Sequence, residues 1–142
     1  MLKGSLAFLT IIVIIVACSK GKLETNPFIE LKNINATELY DTVQDNSFVI
    51  DLNFKDKEGD LGNGVLTYIR YRQNTIGSPI NDQTDTIRYA IPDFPKATTG
   101  EFKLLIPVGF LNEDPNRNDT VIFRMFATDV AGHRSDTIST PT

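Results

Sequence analysis

The chain has 142 residues, with 18 acidic against 14 basic side chains and a formal net charge of −4. This balance argues against a nucleic-acid partner, because such partners select clustered lysine and arginine, and against electrostatic adhesion to anionic lipid. The chain contains one cysteine, Cys18, which excludes a disulfide bond within it. The length is enough for one domain with a hydrophobic core.

The amino-terminal segment combines an early basic residue, Lys3, with an apolar run from Leu6 to Ala17. A helix of this length rises about 18 Å, whereas the hydrocarbon core of a bilayer is roughly 30 Å thick. The segment therefore has the arrangement of a secretory signal rather than that of a transmembrane helix. We expect Met1–Ala17 to be a signal peptide.

The apolar run ends in Ile15-Val16-Ala17-Cys18, which resembles the lipobox of bacterial lipoproteins. The resemblance implies cleavage before Cys18, acylation of that cysteine with chains such as palmitate, and a lipid anchor in the outer membrane of the cell envelope. Stable anchoring requires more than one acyl chain. The following polar stretch, Ser19–Asn26, has no periodicity and is predicted to be a tether. It lacks the acidic run that resembles a surface-export signal of Bacteroidetes lipoproteins, so the periplasmic and surface faces both stay open.

From Pro27 onward the sequence alternates apolar and polar residues with the two-residue period of half-buried strands. The predicted strands are Phe28–Leu31, with Ile34 as the alternative end, Ser47–Phe54, Val65–Arg72, Asp85–Ile91, Glu101–Pro107, Thr120–Asp129 and Arg134–Thr140. Their regular spacing predicts an all-β fold, a seven-stranded antiparallel sandwich of the immunoglobulin or fibronectin III type over 27–142, with a closed barrel as the alternative. The predicted core residues are Phe48, Ile50, Leu52, Ile69, Leu104, Phe123 and Met125.

The loop after the second predicted strand carries carboxylates at alternate positions, Asp56, Glu58 and Asp60, with glycines beside them. In an immunoglobulin-like sandwich this loop and the turn after the sixth strand emerge at the same end, so we expect Asp129 to approach these side chains. Converging oxygen ligands on a loop that glycine can bend suit Ca²⁺. The sequence therefore predicts a calcium site formed by these four residues. The alternative is a solvated hairpin loop.

Two internal stretches resemble known bacterial families. Asn53–Gly62 is similar to the F-x-D-x-(D/E)-G-D-(L/I)-G loop of small Bacteroidetes-type lipoproteins. Phe126–Ser135 is similar to the V-x-D-x-A-G-N-x-S end of bacterial immunoglobulin-like and cadherin-like domains, with His133 in place of the usual asparagine. Cadherin-type calcium sites lie between tandem domains, whereas this sequence predicts one domain. The resemblance implies a β-sandwich and an envelope address, in a family largely without assigned activity.

An Asp-Thr-aliphatic tripeptide recurs along the chain and resembles the O-glycosylation signature of exported Bacteroidetes proteins. The predicted acceptor residues are Thr42, Thr86, Thr120 and Thr137. The alternative is purely structural, because aspartate often ends a turn and a β-branched pair often begins a strand.

These features favour a lipid-anchored, non-catalytic binding or structural module, with the membrane and either another envelope protein or a glycan as partners. The single histidine, His133, lies in a predicted turn, which favours a solvated residue over a general base. A hydrolase with paired carboxylates is a further alternative. Another is a carbohydrate-binding accessory lipoprotein of an outer-membrane uptake system. Its sugar-stacking platform would be formed by Tyr68, Tyr71, Tyr89 and Phe110.

Overall fold

The computed structural model describes residues 25–39, 47–73, 84–111 and 120–142. The elements are β1 (Phe28–Ile34), β2 (Ser47–Lys55), β3 (Val65–Arg72), β4 (Thr84–Ala90), β5 (Thr99–Pro107), α1 (Val108–Leu111), β6 (Val121–Thr128) and β7 (Ile138–Ser139). The predicted all-β character is confirmed. No helix within these ranges is long and apolar enough to cross a membrane. Cys18 and Thr42 lie outside the described residues.

The strands form two antiparallel sheets, sheet A with the order β1-β2-β5 and sheet B with the order β4-β3-β6-β7. The chain passes between the sheets after β2, after β4 and after β5. In the strand register, the end of β2 lies opposite the start of β5, and the start of β3 lies opposite the ends of β4 and β6. The β2–β3 loop, the β4–β5 loop and the β6–β7 turn therefore all emerge at one end of the molecule. We call this end the loop end.

The core lies between the inner faces of the two sheets, where strand alternation directs the apolar side chains. In β2 every second residue from Phe48 to Phe54 is buried, and β5 and β6 present matching rows. Six predicted core residues are buried as expected: Phe48, Ile50, Leu52, Leu104, Phe123 and Met125. Phe48 stacks on Phe123 with ring centroids 5.5 Å apart, so the aromatic contact joins sheet A to sheet B.

The prediction that Ile69 lies in the core is wrong, because β3 directs its other face inward. Leu66, Tyr68 and Arg70 are buried, while Ile69 is only half-buried on the outer face. The inward arginine is compensated: its guanidinium pairs with Asp85, Nη1 donates to the carbonyl oxygen of Phe110 at 2.6 Å, and it lies 4.7 Å from the ring centroid of Phe110. A buried charge is stable only when paired in this way.

The last predicted strand, Arg134–Thr140, is shorter in the structure. Its pairing with β6 consists of an isolated bridge between Thr128 and Arg134 and the two residues of β7. Ser135 and Thr140, on either side of β7, each make two hydrogen bonds to β6. Their backbone N–H groups donate to the carbonyl oxygens of Ala127 and Phe123, and their hydroxyls accept from the backbone N–H groups of the same two residues. Asp129, placed in the sixth strand by the sequence pattern, lies in the turn instead.

Candidate metal centre

The β2–β3 loop is fixed to the other segments of the loop end by backbone hydrogen bonds. Asp56 N donates to Thr98 O at 2.8 Å and Ile91 N donates to Gly64 O at 2.9 Å. On the other side, Val130 N donates to Asp60 O at 3.4 Å. These contacts hold the loop between the β4–β5 loop and the β6–β7 turn.

Glycines permit two features of this loop that other residues would strain. A Cβ atom on Gly64 would overlap the carbonyl oxygen of Thr128 and lie 3.2 Å from the Cα atom of Asp129, so the absent side chain allows the loop to pack on the end of β6. Gly59 has a φ of +67°, a left-handed conformation that redirects the chain just before Asp60.

Three carboxylates, two from the β2–β3 loop and one from the β6–β7 turn, converge at the loop end. Within the described ranges, Asp56, Asp60 and Asp129 each offer one carboxylate oxygen, and these oxygens lie within 4.8 Å of one another. Calcium binds oxygen at 2.3–2.6 Å, so ligands on opposite sides of the ion are about 5 Å apart. Glu58, the fourth predicted ligand, is not part of this group. The spacing of the three oxygens fits one metal ion, and the identity of the cation stays a prediction.

Two buried oxygens in this group have no hydrogen-bond donor among the described residues. Asp56 is 2 % exposed, and its Oδ2 accepts from the backbone N–H groups of Asp60 at 2.8 Å and Leu61 at 2.9 Å. Its Oδ1 is buried without a hydrogen-bond partner, as is Oδ1 of Asp60. An unsatisfied buried acceptor costs about 1–3 kcal/mol, more when it is charged. Coordination to a cation satisfies carboxylate oxygens that lack hydrogen-bond donors.

The charges in the group repel one another. Burial, followed by the negative charges of Asp129 and Asp56, raises the pKa of Asp60 above its usual value. An acid whose pKa is raised by folding favours the folded state less as it ionises, so the ionised cluster lowers stability at neutral pH. A divalent cation would remove that repulsion.

His133 positions Asp129, a role that the sequence analysis missed. The backbone N–H of His133 donates to Asp129 Oδ1 at 2.7 Å, and Nδ1 of the ring lies 3.1 Å from Asp129 Oδ2. Asp129 itself is 5 % exposed. The sequence signal for this contact is the four-residue spacing of Asp129 and His133 across a turn, which brings the His133 side chain back to the Asp129 carboxylate. His133 therefore orients a candidate ligand rather than lying free in solvent.

The predicted glycosylation sites within the described residues differ in their exposure. Thr86 and Thr137 are exposed and Thr120 is half-buried. The Thr137 hydroxyl accepts a hydrogen bond from Arg134 at 3.2 Å. Exposure of Thr86 and Thr137 is compatible with glycosylation, which stays a prediction.

The four aromatic residues proposed for sugar stacking do not form one platform. Tyr68 is buried in the core, where its ring stacks on that of Tyr89 with centroids 5.9 Å apart. Burial, and after it the neighbouring Tyr89, raises the pKa of Tyr68 to about 12. Tyr71 alternates with Tyr68 along β3 and lies on the outer face beneath Arg124, 4.7 Å from its guanidinium. Phe110 lies beside Arg70. A flat sugar-binding surface would need these rings on one side.

Comparison with protein-family models finds no matching family, and comparisons with curated proteins and with solved structures find no significant match.

Proposed function

We propose that this chain is a calcium-binding, immunoglobulin-like β-sandwich that serves as a non-catalytic binding or structural module of the cell envelope. The observation that carries the calcium assignment is the convergence of Asp56, Asp60 and Asp129, with buried oxygens that lack hydrogen-bond donors. The immunoglobulin-like assignment is supported by the division into sheets of three and four strands with repeated crossings between them.

Calcium at this position would tie together segments that are distant in the sequence. Asp56 follows β2 of sheet A, whereas Asp129 follows β6 of sheet B. An ion shared by their carboxylates would brace the two sheets at the loop end. Calcium takes six to eight oxygen ligands, so water would complete its coordination beyond the protein carboxylates. We propose a structural role, because a cation that binds only the folded chain stabilises the folded state. The folded state is the one that presents a binding surface.

The proposed address is the outer membrane, with the lipidated Cys18 as the contact with the bilayer. This part of the proposal is supported by the lipobox resemblance and by the short apolar run before it. Another envelope protein or a glycan is the proposed partner of the sandwich.

Calorimetric titration of the domain from Leu23 to Thr142 tests the calcium site. We expect one calcium ion per chain, and Asp129→Asn should weaken binding by roughly tenfold or more, since even residues that only orient ligands contribute on that scale. Asp136→Asn is the matched control, because Asp136 is exposed and outside the convergent group. Equal affinities of the two variants would contradict the assignment.

Fractionation of cells tests the lipid anchor. Cys18→Ser should release the protein from the membrane fraction or block its processing, because the acceptor thiol is lost while the apolar run remains. Unchanged fractionation together with unchanged processing would refute lipidation at Cys18.

A further inference from the structure

Among the described strands, β5 is an edge strand of sheet A. β5 pairs with β2 on one side, and no described strand pairs with it on the other. Next to this edge, an apolar groove of about 830 Å³ runs between β5 and β4. Aromatic and aliphatic side chains dominate its wall, among them Phe54, Leu66, Tyr89, Ile91, Phe94 and Phe102. An unpaired strand beside apolar side chains is a template for another strand.

The direction of the backbone groups along this edge follows from the adjoining hydrogen bonds. Asp56, an even-numbered residue just after β2, donates its backbone N–H to Thr98 O, just before β5. Val49, an odd-numbered residue of β2, accepts a hydrogen bond at its carbonyl oxygen from Asn35 N, just after β1. Antiparallel pairs alternate, so even-numbered residues of β5 exchange hydrogen bonds with β2. The N–H and C=O groups that point to the open edge therefore belong to the odd-numbered residues. These are Thr99, Glu101, Lys103 and Leu105.

The sequence of β5 is complementary to itself in one register. An antiparallel copy centred on Phe102 places Glu101 directly opposite the partner's Lys103, and both residues have edge-facing backbone groups. Thr99 lies opposite the partner's Leu105 in the same way. The nearest registers that also match edge-facing groups place Glu101 against Glu101 or Lys103 against Lys103, and like charges in directly opposite positions repel.

We propose that β5 pairs with β5 of a second copy of this chain, which joins the two copies of sheet A into one continuous sheet. On the outer face, Glu101 already pairs with Lys32 at 2.5 Å and Lys103 lies 3.4 Å from Asp51. Cross-strand pairs between Glu101 and the partner's Lys103 extend these ion pairs into rows of alternating charge.

The inner face supports the same register. Phe102 meets the partner's Phe102 across the twofold axis, and Gly100 lies opposite the partner's Leu104, a small residue against a large one. The axis is perpendicular to the sheet, so both copies of sheet B lie on the same side and the two grooves face each other. Association then buries apolar surface that the single chain leaves open, including Tyr89, which is 42 % exposed.

Charge-swap variants of the full chain test this pairing. The chain is purified in a mild detergent and its protein mass is measured by light scattering with the detergent contribution subtracted. We expect a dimer for the unmodified chain, and a dissociation constant raised roughly tenfold or more for Glu101→Lys and for Lys103→Glu, since each creates like-charge pairs twice over. The double variant Glu101→Lys/Lys103→Glu restores opposite charges and should restore the dimer.

A proline variant tests pairing at the outer edge of β5 while leaving the pairing of β5 with β2 intact. Leu105 is 55 % exposed and its N–H faces the open edge, so Leu105→Pro removes an intermolecular hydrogen bond without removing one to β2. We expect a monomer with an unchanged circular dichroism spectrum, whereas Leu105→Ala should remain a dimer. A monomeric unmodified chain would overturn the proposal. So would a dimer that survives both single charge variants and Leu105→Pro, which would place the contact elsewhere, or a folded double variant that stays monomeric.

Discussion

Leu52→Ala is expected to lower the free energy of unfolding by roughly 2–5 kcal/mol, the range of buried leucine truncations in cores that relax only partly. Leu52 is fully buried in the central strand of sheet A, directly between Leu31 of β1 and Phe102 of β5. Removing its side chain therefore opens a cavity that has neighbours on both sides and the other sheet above it. Denaturant unfolding of the domain from Leu23 to Thr142 measures the loss.

Ile69→Ala is the matched control for this prediction. Ile69 is also an aliphatic residue in a central strand, but it is half-buried on the outer face of sheet B. We expect a loss of about 1 kcal/mol or less, because an outward side chain leaves no closed cavity. A larger loss for Ile69→Ala than for Leu52→Ala would mean that the register of β3 is shifted by one residue, since such a shift exchanges the faces of a strand.

The contrast between β2 and β3 shows how far alternation alone predicts this fold. In β2 the inward positions are all apolar, so only one face fits the core. In β3 both faces carry large apolar residues, and the inward face includes Arg70. Its burial depends on Asp85 of β4 and Phe110 of α1, which are distant in the sequence. Local periodicity contains no information about those partners, and it therefore favoured the Ile69 face.

The features of the candidate site that depend on strand topology were predictable from the sequence. The features that depend on local backbone geometry were not. The approach of Asp129 to the β2–β3 loop was expected because the two segments emerge at one end of a sandwich. The position of Glu58 was not. Alternating residues share a side only in an extended strand, and the left-handed backbone of Gly59 interrupts that pattern between Glu58 and Asp60. The contact of His133 with Asp129 depends on the shape of the turn.

Calcium is expected to raise the melting temperature of the domain from Leu23 to Thr142 by roughly 10 °C. An ion that binds only the folded state stabilises it by about 2.7 kcal/mol when its concentration is 100 times the dissociation constant. A domain near this size gains about 4 °C per kcal/mol. Part of this stabilisation has a structural origin. Burial, followed by the charges of Asp129 and Asp56, raises the pKa of Asp60, and calcium would neutralise the repulsion between these carboxylates. Magnesium should substitute poorly, since it dehydrates reluctantly and demands tighter octahedral geometry.

Melting in millimolar calcium and in chelator, with two matched variants, is the most direct test that Asp56, Asp60 and Asp129 share one cation. Asp60→Asn should raise the melting temperature in chelator, because it removes repulsion, and should shrink the response to calcium. Asp93→Asn removes the same charge at the same end of the molecule, where Asp93 accepts a hydrogen bond from Asn63 outside the convergent group, and should leave the response intact. A melting temperature of the unmodified domain that is identical in calcium and in chelator would contradict the cation site.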